Sequence, residues 1–260
     1  LETLQRQFGP ASDRFVIEEF LEGEEASVFA ISDGKEFVTL APAQDHKRVF
    51  DGDKGKNTGG MGAYAPAPIV TEDILEAVHE QIIEPTLAGM AEEGRPYQGC
   101  LYVGLMITSS GPKVVEYNCR LGDPEAQVVL PLYDGDLVEL LDAACTGRIR
   151  EMRAKERNSR GVLSAVCVVL ASEGYPDEYS TGMEISGLED LEAMNNVLAF
   201  HAGTSIVNGM LVTAGGRVLG ITAIKPLLAE AIADAYDALS RVSFAGMHYR
   251  RDIGRKAFVH

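Results

Sequence analysis

The sequence predicts an α+β fold in two parts, an antiparallel sheet with flanking helices followed by a smaller α+β unit. Three observations carry this expectation: two hairpin signals separated by a polar loop and a helix, a charged stretch at 150–160, and a second set of short strands with one long helix. With 260 residues, 46 % of them hydrophobic, the chain can bury a substantial core.

Phe15–Phe20 reads as a first strand. The β-prone runs Ser27–Ser32 and Lys35–Leu40 flank Asp33-Gly34, a strong hairpin signal. Residues 42–68 are polar and rich in glycine and proline, and a loop of that length in a compact domain is functional or disordered. Thr71 starts a helix with Ile74, Val78 and Ile82 on its apolar side and Pro85 as a kink. Cys100–Ile107 and Lys113–Cys119 form a second hairpin through Ser109–Pro112. Leu121–Tyr133 is a mixed loop and short helix, and Asp136 caps a helix that buries Leu137, Leu140, Leu141 and Ala144 and ends near Gly147. Beyond the boundary at 150–160 come strands at Val162–Leu170, Val197–Phe200 and Arg217–Ala223. A helix over Pro226–Arg241 and a last strand near His248–Arg250 complete the chain.

Composition narrows the function. A net charge of −16 repels nucleic acid and acidic membranes, which require basic surfaces. No apolar run approaches the ~20 residues of a membrane-crossing helix, and the N-terminus lacks the pattern of a signal peptide. It also lacks an initiator Met and reads as mid-helix, which predicts a chain that starts inside a domain. Cys100, Cys119, Cys145 and Cys167 are far apart without a C-x-x-C pair, as expected in a reducing cytoplasm.

Three segments carry chemistry. Along Val114–Arg120 strand alternation puts Glu116, Asn118 and Arg120 on one face, residues two apart being separated by roughly 6–7 Å. Carboxylate and amide oxygens are hard ligands suited to Mg²⁺, and Arg120 could pair with phosphate; an ordinary polar strand face has the same pattern. In Asn57-Thr58-Gly59-Gly60-Met61-Gly62 the glycines free the backbone to approach an anion, although no Lys-Ser/Thr follows as in a Walker loop. The turn Glu19–Glu25 is either a solvated acidic turn or a nucleotide hinge, with the backbone of Glu19, Phe20 and Leu21 on adenine and Glu25 on ribose.

The order of these segments is more specific than any one of them. Ile-Glu-Glu-Phe-Leu-Glu-Gly-Glu-Glu-Ala-Ser at 17–27, Gln-Asp-His-Lys-Arg at 44–48, Asn-Thr-Gly-Gly-Met-Gly-Ala-Tyr at 57–64 and Val-Glu-Tyr-Asn-Cys-Arg-Leu-Gly-Asp-Pro-Glu at 115–125 closely resemble the phosphoribosylamine–glycine ligases, ATP-grasp enzymes of purine biosynthesis. Glu-Gly-Tyr-Pro at 173–176, Phe-His-Ala-Gly-Thr at 200–204, Gly-Gly-Arg-Val-Leu at 215–219 and Tyr-Arg-Arg-Asp-Ile-Gly at 249–254 extend the resemblance across the chain.

The resemblance implies that residues 1–20 end an ATP-grasp lid, 21–150 form the ATP-grasp core, and 151–260 form a C-terminal α+β domain. An N-terminal domain and most of the lid would be absent, yet required. Glu116 and Asn118 would bind Mg²⁺ or Mn²⁺; Glu19, Phe20, Leu21 and Glu25 would hold ATP. Asp45, Lys47, Arg48, Arg120 and Asp123, with Asn57, Thr58, Gly59 and Gly60, would line the place where glycine meets phosphate. The implied reaction joins glycine to 5-phosphoribosylamine with ATP cleavage, in the cytoplasm, through a glycyl phosphate. One departure from ATP-grasp enzymes at large is the penultimate strand, Leu101–Ile107, which carries no acid for a metal. Another ATP-grasp carboxylate–amine ligase or carboxylase, or a non-catalytic nucleotide-binding chain, are the competing readings.

Overall fold

The computed structural model describes residues 5–6, 9–156 and 163–258. In chain order the strands of the first half are β1 (Glu24–Ser32), β2 (Phe37–Thr39), β3 (Gln44–Asp45), β4 (Arg48–Phe50), β5 (Lys54–Asn57), β6 (Gly62–Ala65), β7 (Gly99–Thr108) and β8 (Gly111–Asn118). The second half holds β9 (Ser164–Ser172), β10 (Val197–His201), β11 (Thr204–Val207), β12 (Met210–Thr213), β13 (Arg217–Lys225) and β14 (Met247–His248).

Both expected hairpins form in a four-stranded antiparallel sheet ordered β2-β1-β7-β8. The Asp33 carboxylate closes the first turn by accepting the N–H groups of Lys35 and Glu36. Alternation along β1 then splits its side chains. Val28 and Ala30 enter one buried cluster, Phe29 and Ile31 another, so the strand is covered on both faces.

A helix over Glu72–Val78, capped by Thr71, passes through a π-helical turn at His79–Ile83 into Glu84–Glu92. Pro85, the expected kink, falls in the first turn of that last segment, where a missing N–H is tolerated. The helix Leu137–Thr146 starts at Asp136 as expected and ends at Gly147 in the left-handed region. It buries Leu140, Ala143 and Ala144, while Leu141 is left 46 % exposed, one position off the expected face.

A six-stranded sheet crosses the middle of the sequence. Its order is β10-β13-β9-β6-β3, with β14 on β9. β9 is buried along its whole length, pairing with β13 on one side and with both β6 and β14 on the other. Residues 62–65 and 164–172 thus share one sheet, on which the helix Leu228–Leu239 packs. Part of the boundary stretch at 150–160 lies outside the described residues, as does Val162.

Three expectations are corrected. Phe15–Phe20 forms no strand; Val16, Ile17 and Phe20 are more than four-fifths exposed, because no neighbouring strand among the described residues satisfies a ladder there. Residues 42–68 are not a structureless loop, since β3 to β6 lie within it. Their alternation was hidden by glycines that serve as turn and close-contact positions. β8 ends at Asn118, so Arg120 lies beyond the strand on whose face Glu116 and Asn118 alternate.

Candidate active site

On the outer strand of the four-stranded sheet, Asn118 Nδ2 donates to Glu116 Oε1 at 3.1 Å, so the two side chains do converge as alternation requires. The donor set fits a hard divalent cation. Among the described residues no group of three or more His, Cys, Asp or Glu is arranged for a metal, so an ion on this pair would complete its shell with water and nucleotide phosphate, as Mg²⁺ does. Arg120 lies just past the strand and donates to the carbonyl of Leu121 at 3.0 Å.

The segment 45–48 divides its residues in two directions. Asp45 and Lys47 turn to one side, where Lys47 Nζ meets Glu25 Oε2 at 2.5 Å and feels the charge of Glu116. Burial opposes the Lys47 charge, but Asp45, Glu25 and Glu116 outweigh it and raise its pKa. Asp45 is pushed up to about 7, first by burial, then by Glu125 and Glu25, with Lys47 acting against them. His46 and Arg48 turn the other way. His46 is buried, neither ring nitrogen has a hydrogen-bond partner, and burial beside Arg250 and Lys256 lowers its pKa to about 3. Arg48 donates to Gly55 O within the β4–β5 hairpin, so the structure does not bring its side chain to Lys47.

The glycine loop is laced to this segment. Thr58 N and Oγ1 both donate to Lys47 O (2.7 and 2.9 Å), Gly60 N donates to Thr58 Oγ1, and Met61 N donates to His46 O. Asn57 pairs with Arg48 across the hairpin. Gly60 has φ +111°, and a Cβ there would stand 2.4 Å from Pro124 Cδ, so the loop rests on the Asp123–Pro124 turn. Asp123 is held by Arg217, whose Nη1 also donates to Gly59 O at 2.8 Å.

Residues 19–25 run along the same end of the sheet. Gly23 passes so close to β7 that a Cβ would lie 2.2 Å from Ile107 O. Glu25 O accepts Gln44 Nε2, and the Glu19 carboxylate accepts Lys113 Nζ at 2.9 Å from β8. Phe20 is exposed and Leu21 half-buried.

Sequence reasoning missed Glu125, Tyr175 and Arg217. Glu125 is buried against Ser27 and Tyr102 and its charge reaches Asp45. The Tyr175 hydroxyl accepts Gly59 N at 3.0 Å. Glu125 closes the quoted Gly-Asp-Pro-Glu run and could have been marked as an acid in an otherwise apolar stretch. Arg217 and Tyr175 sit inside quoted motifs, at 215–219 and 173–176, but lie more than 90 residues from their partners, so nothing local tied them to the site.

A carboxylate–amide pair on the outer strand of an antiparallel sheet, facing a lysine and a braced glycine loop, belongs to the ATP-grasp class. The fold agrees: a biotin carboxylase domain of a single-chain bacterial carboxylase superposes with TM-score 0.60 at 16 % identity, over 96 % of this chain and 53 % of that one. Family models narrow it further. The phosphoribosylglycinamide synthetase ATP-grasp (A) domain matches residues 2–126 and the C domain of the same synthetase matches 165–256; the chain belongs to the phosphoribosylglycinamide synthetase family.

The phosphoribosylamine–glycine ligase of Brucella melitensis is 50 % identical over 96 % of this chain and 58 % of its own length. The crystal structure of the Thermotoga maritima phosphoribosylamine–glycine ligase superposes with TM-score 0.76 at 38 % identity, over 90 % of this chain and 56 % of that one. The chain therefore spans rather more than half the length of these two relatives.

Proposed function

We propose that this chain supplies the ATP-grasp core and C-terminal part of an enzyme that joins glycine to 5-phosphoribosylamine, forming glycinamide ribonucleotide, ADP and phosphate. The observation that carries the reading is the convergence of Glu116–Asn118, the Lys47–Glu25 pair and the 57–60 loop at one end of the sheet, in a chain of this family. Glu19, Phe20 and Leu21 would hold adenine and Glu25 ribose. Glu116 and Asn118 would hold Mg²⁺ or Mn²⁺, which would neutralise phosphate charge when bound.

A glycine carboxylate oxygen attacks the γ-phosphorus of ATP; the new O–P bond forms as the bond to ADP breaks. The amine nitrogen of phosphoribosylamine then attacks the glycyl carbonyl carbon, gives up a proton, and phosphate leaves. Such chemistry depends on placing charge against developing negative oxygens, and no covalent residue is required. Lys47 is a fixed cation for those oxygens. Asp45, whose carboxyl burial pushes up to about 7, would serve beside them as a proton acceptor. The amides of residues 57–60 and Arg120 would orient the acyl phosphate, and Asp123, already bound by Arg217, supports the loop from below. No described helix is long and apolar enough to cross a membrane, which is consistent with a cytoplasmic biosynthetic enzyme.

ADP release measured with glycine and phosphoribosylamine, for this chain alone and for the chain completed by the remaining part of its relatives, tests the proposal. Turnover that requires both substrates and the completed chain is expected. Nucleotide hydrolysis indifferent to both substrates would overturn it.

A further inference from the structure

The segment after β14 makes a set of contacts that the proposed chemistry does not use. Arg250 is fully buried and its guanidinium is almost wholly engaged. Nε and Nη2 hold the two oxygens of Asp252 at 2.8 and 2.7 Å, while Nη1 donates to Asp53 Oδ1 at 2.8 Å and to Arg48 O at 3.1 Å. Lys256 Nζ takes the other oxygen of Asp53 at 2.6 Å. Asp252 Oδ2 accepts Gly52 N, Asp51 Oδ1 accepts Arg251 N, and His248 Nε2 lies 2.9 Å from Val49 O.

Apart from the Arg250–Asp252 pair, which lies within the segment itself, these contacts reach β4 and the turn that follows it, some 200 residues away in sequence. That hairpin is the segment that joins Lys47 to Asn57, and the 44–47 and 57–60 strips enter and leave it side by side. β14 reaches it because β14 and β6 occupy the same edge of β9.

A buried ion pair is poor evidence of stabilisation, since desolvation offsets most of its attraction. A planar fork that meets two carboxylates and a carbonyl at once is well suited to fixing a geometry. Resting on the ligase reading above, we propose that Arg250 is a positioning residue. Through Asp53, Asp252 and the Arg48 carbonyl it holds the β4–β5 hairpin so that Lys47 and the 57–60 amides face the reacting phosphate and glycine.

The test uses Asp53→Asn and Arg250→Lys in the completed enzyme. Asp53 has φ +54°, a conformation asparagine accepts, so Asp53→Asn removes charge without adding backbone strain. Amide hydrogen exchange of residues 57–62 is expected to quicken about tenfold in both variants. The glycine KM should rise and kcat fall by about tenfold each, with the ATP KM changed far less, because among the described residues the clasp reaches the 19–25 segment only indirectly, through the Lys47–Glu25 pair. Unchanged exchange in Asp53→Asn, or ATP and glycine KM rising equally, would overturn the proposal; Asp53→Asn alone decides it where Arg250→Lys does not fold. Exchange is read without turnover, so a wild-type enzyme that fails to ligate glycine refutes the ligase reading while the clasp is still decided by the amides.

Discussion

Asp45 and His46 are adjacent, face opposite ways, and respond to pH with opposite sign. The folded state raises Asp45 from 3.8 to about 7, so it binds a proton more readily than the unfolded chain does. The resulting cost is absent below 3.8, grows as pH rises through this window, and is complete above 7. Asp45→Asn is therefore expected to stabilise the protein at pH 8, on the order of 2–4 kcal/mol, with no gain at pH 3.5, while turnover is lost. Thermal melts at the two pH values check this, and a gain equal at both would contradict it. For His46 the folded value falls from 6.5 to about 3, so its contribution is whole above 6.5 and disappears as pH falls towards 3. His46→Phe should flatten the loss of stability across that window in chemical denaturation series.

At this scale the sequence showed what depends on near neighbours. Glu116 and Asn118 are two apart on a strand, and period-two alternation was enough to pair them. Arg120 lies past the end of β8, so strand alternation no longer fixes its side. Arg217 and Arg250 were not marked as site residues, since their partners Asp123, Gly59, Arg48 and Asp53 are separated from them by 94 to 202 residues and only the folded sheet brings them together.

Among the elements, the glycine loop tells most about what a sequence signal means. Its glycines were read as freedom to approach an anion. In the fold Gly60 is also required by contact with Pro124, and Gly59 is gripped by Arg217 and Tyr175, so this is a braced loop. Gly60→Ala is expected to cost more than about 1 kcal/mol, combining left-handed strain with the clash, and to abolish glycine-dependent turnover. Gly147 is the control: it is also left-handed, at φ +75°, but has open space around its Cβ position. Gly147→Ala should cost about 1 kcal/mol and leave KM values untouched. Equal effects of the two substitutions on turnover would contradict the bracing.

The hairpins at 24–39 and 99–118 were legible because their turn chemistry and β-branched runs are local. The strands between 44 and 65 were not, because each is only two to four residues long, too short to show alternation, and β6 takes a further partner, β9, from the second half.

For the molecule as a whole, that pairing ties the two matched family regions together. β6 and β9 share a sheet, and one buried cluster contains Val28 and Leu105 from the first half with Val168, Leu219 and Ala235 from the second. Unfolding is expected to be a single transition, with far-ultraviolet and tyrosine signals coincident. Val168→Ala, a truncation in the centre of that cluster, should lower the midpoint of both signals together by an amount corresponding to about 1–3 kcal/mol. Two separated transitions would show that the halves are independent.

The same continuity explains why a site read from residues 19–125 is braced by Tyr175, Arg217 and Arg250 from beyond the midpoint. The central claim is that the carboxylate–amide pair on β8 holds the divalent cation and nucleotide phosphate for glycine ligation. Its most direct test is the rate of ADP release dependent on glycine and phosphoribosylamine in the completed enzyme, wild type against Glu116→Ala at saturating Mg²⁺. The account predicts a loss of at least about 100-fold with the fold intact; a Glu116→Ala enzyme of undiminished activity would contradict it.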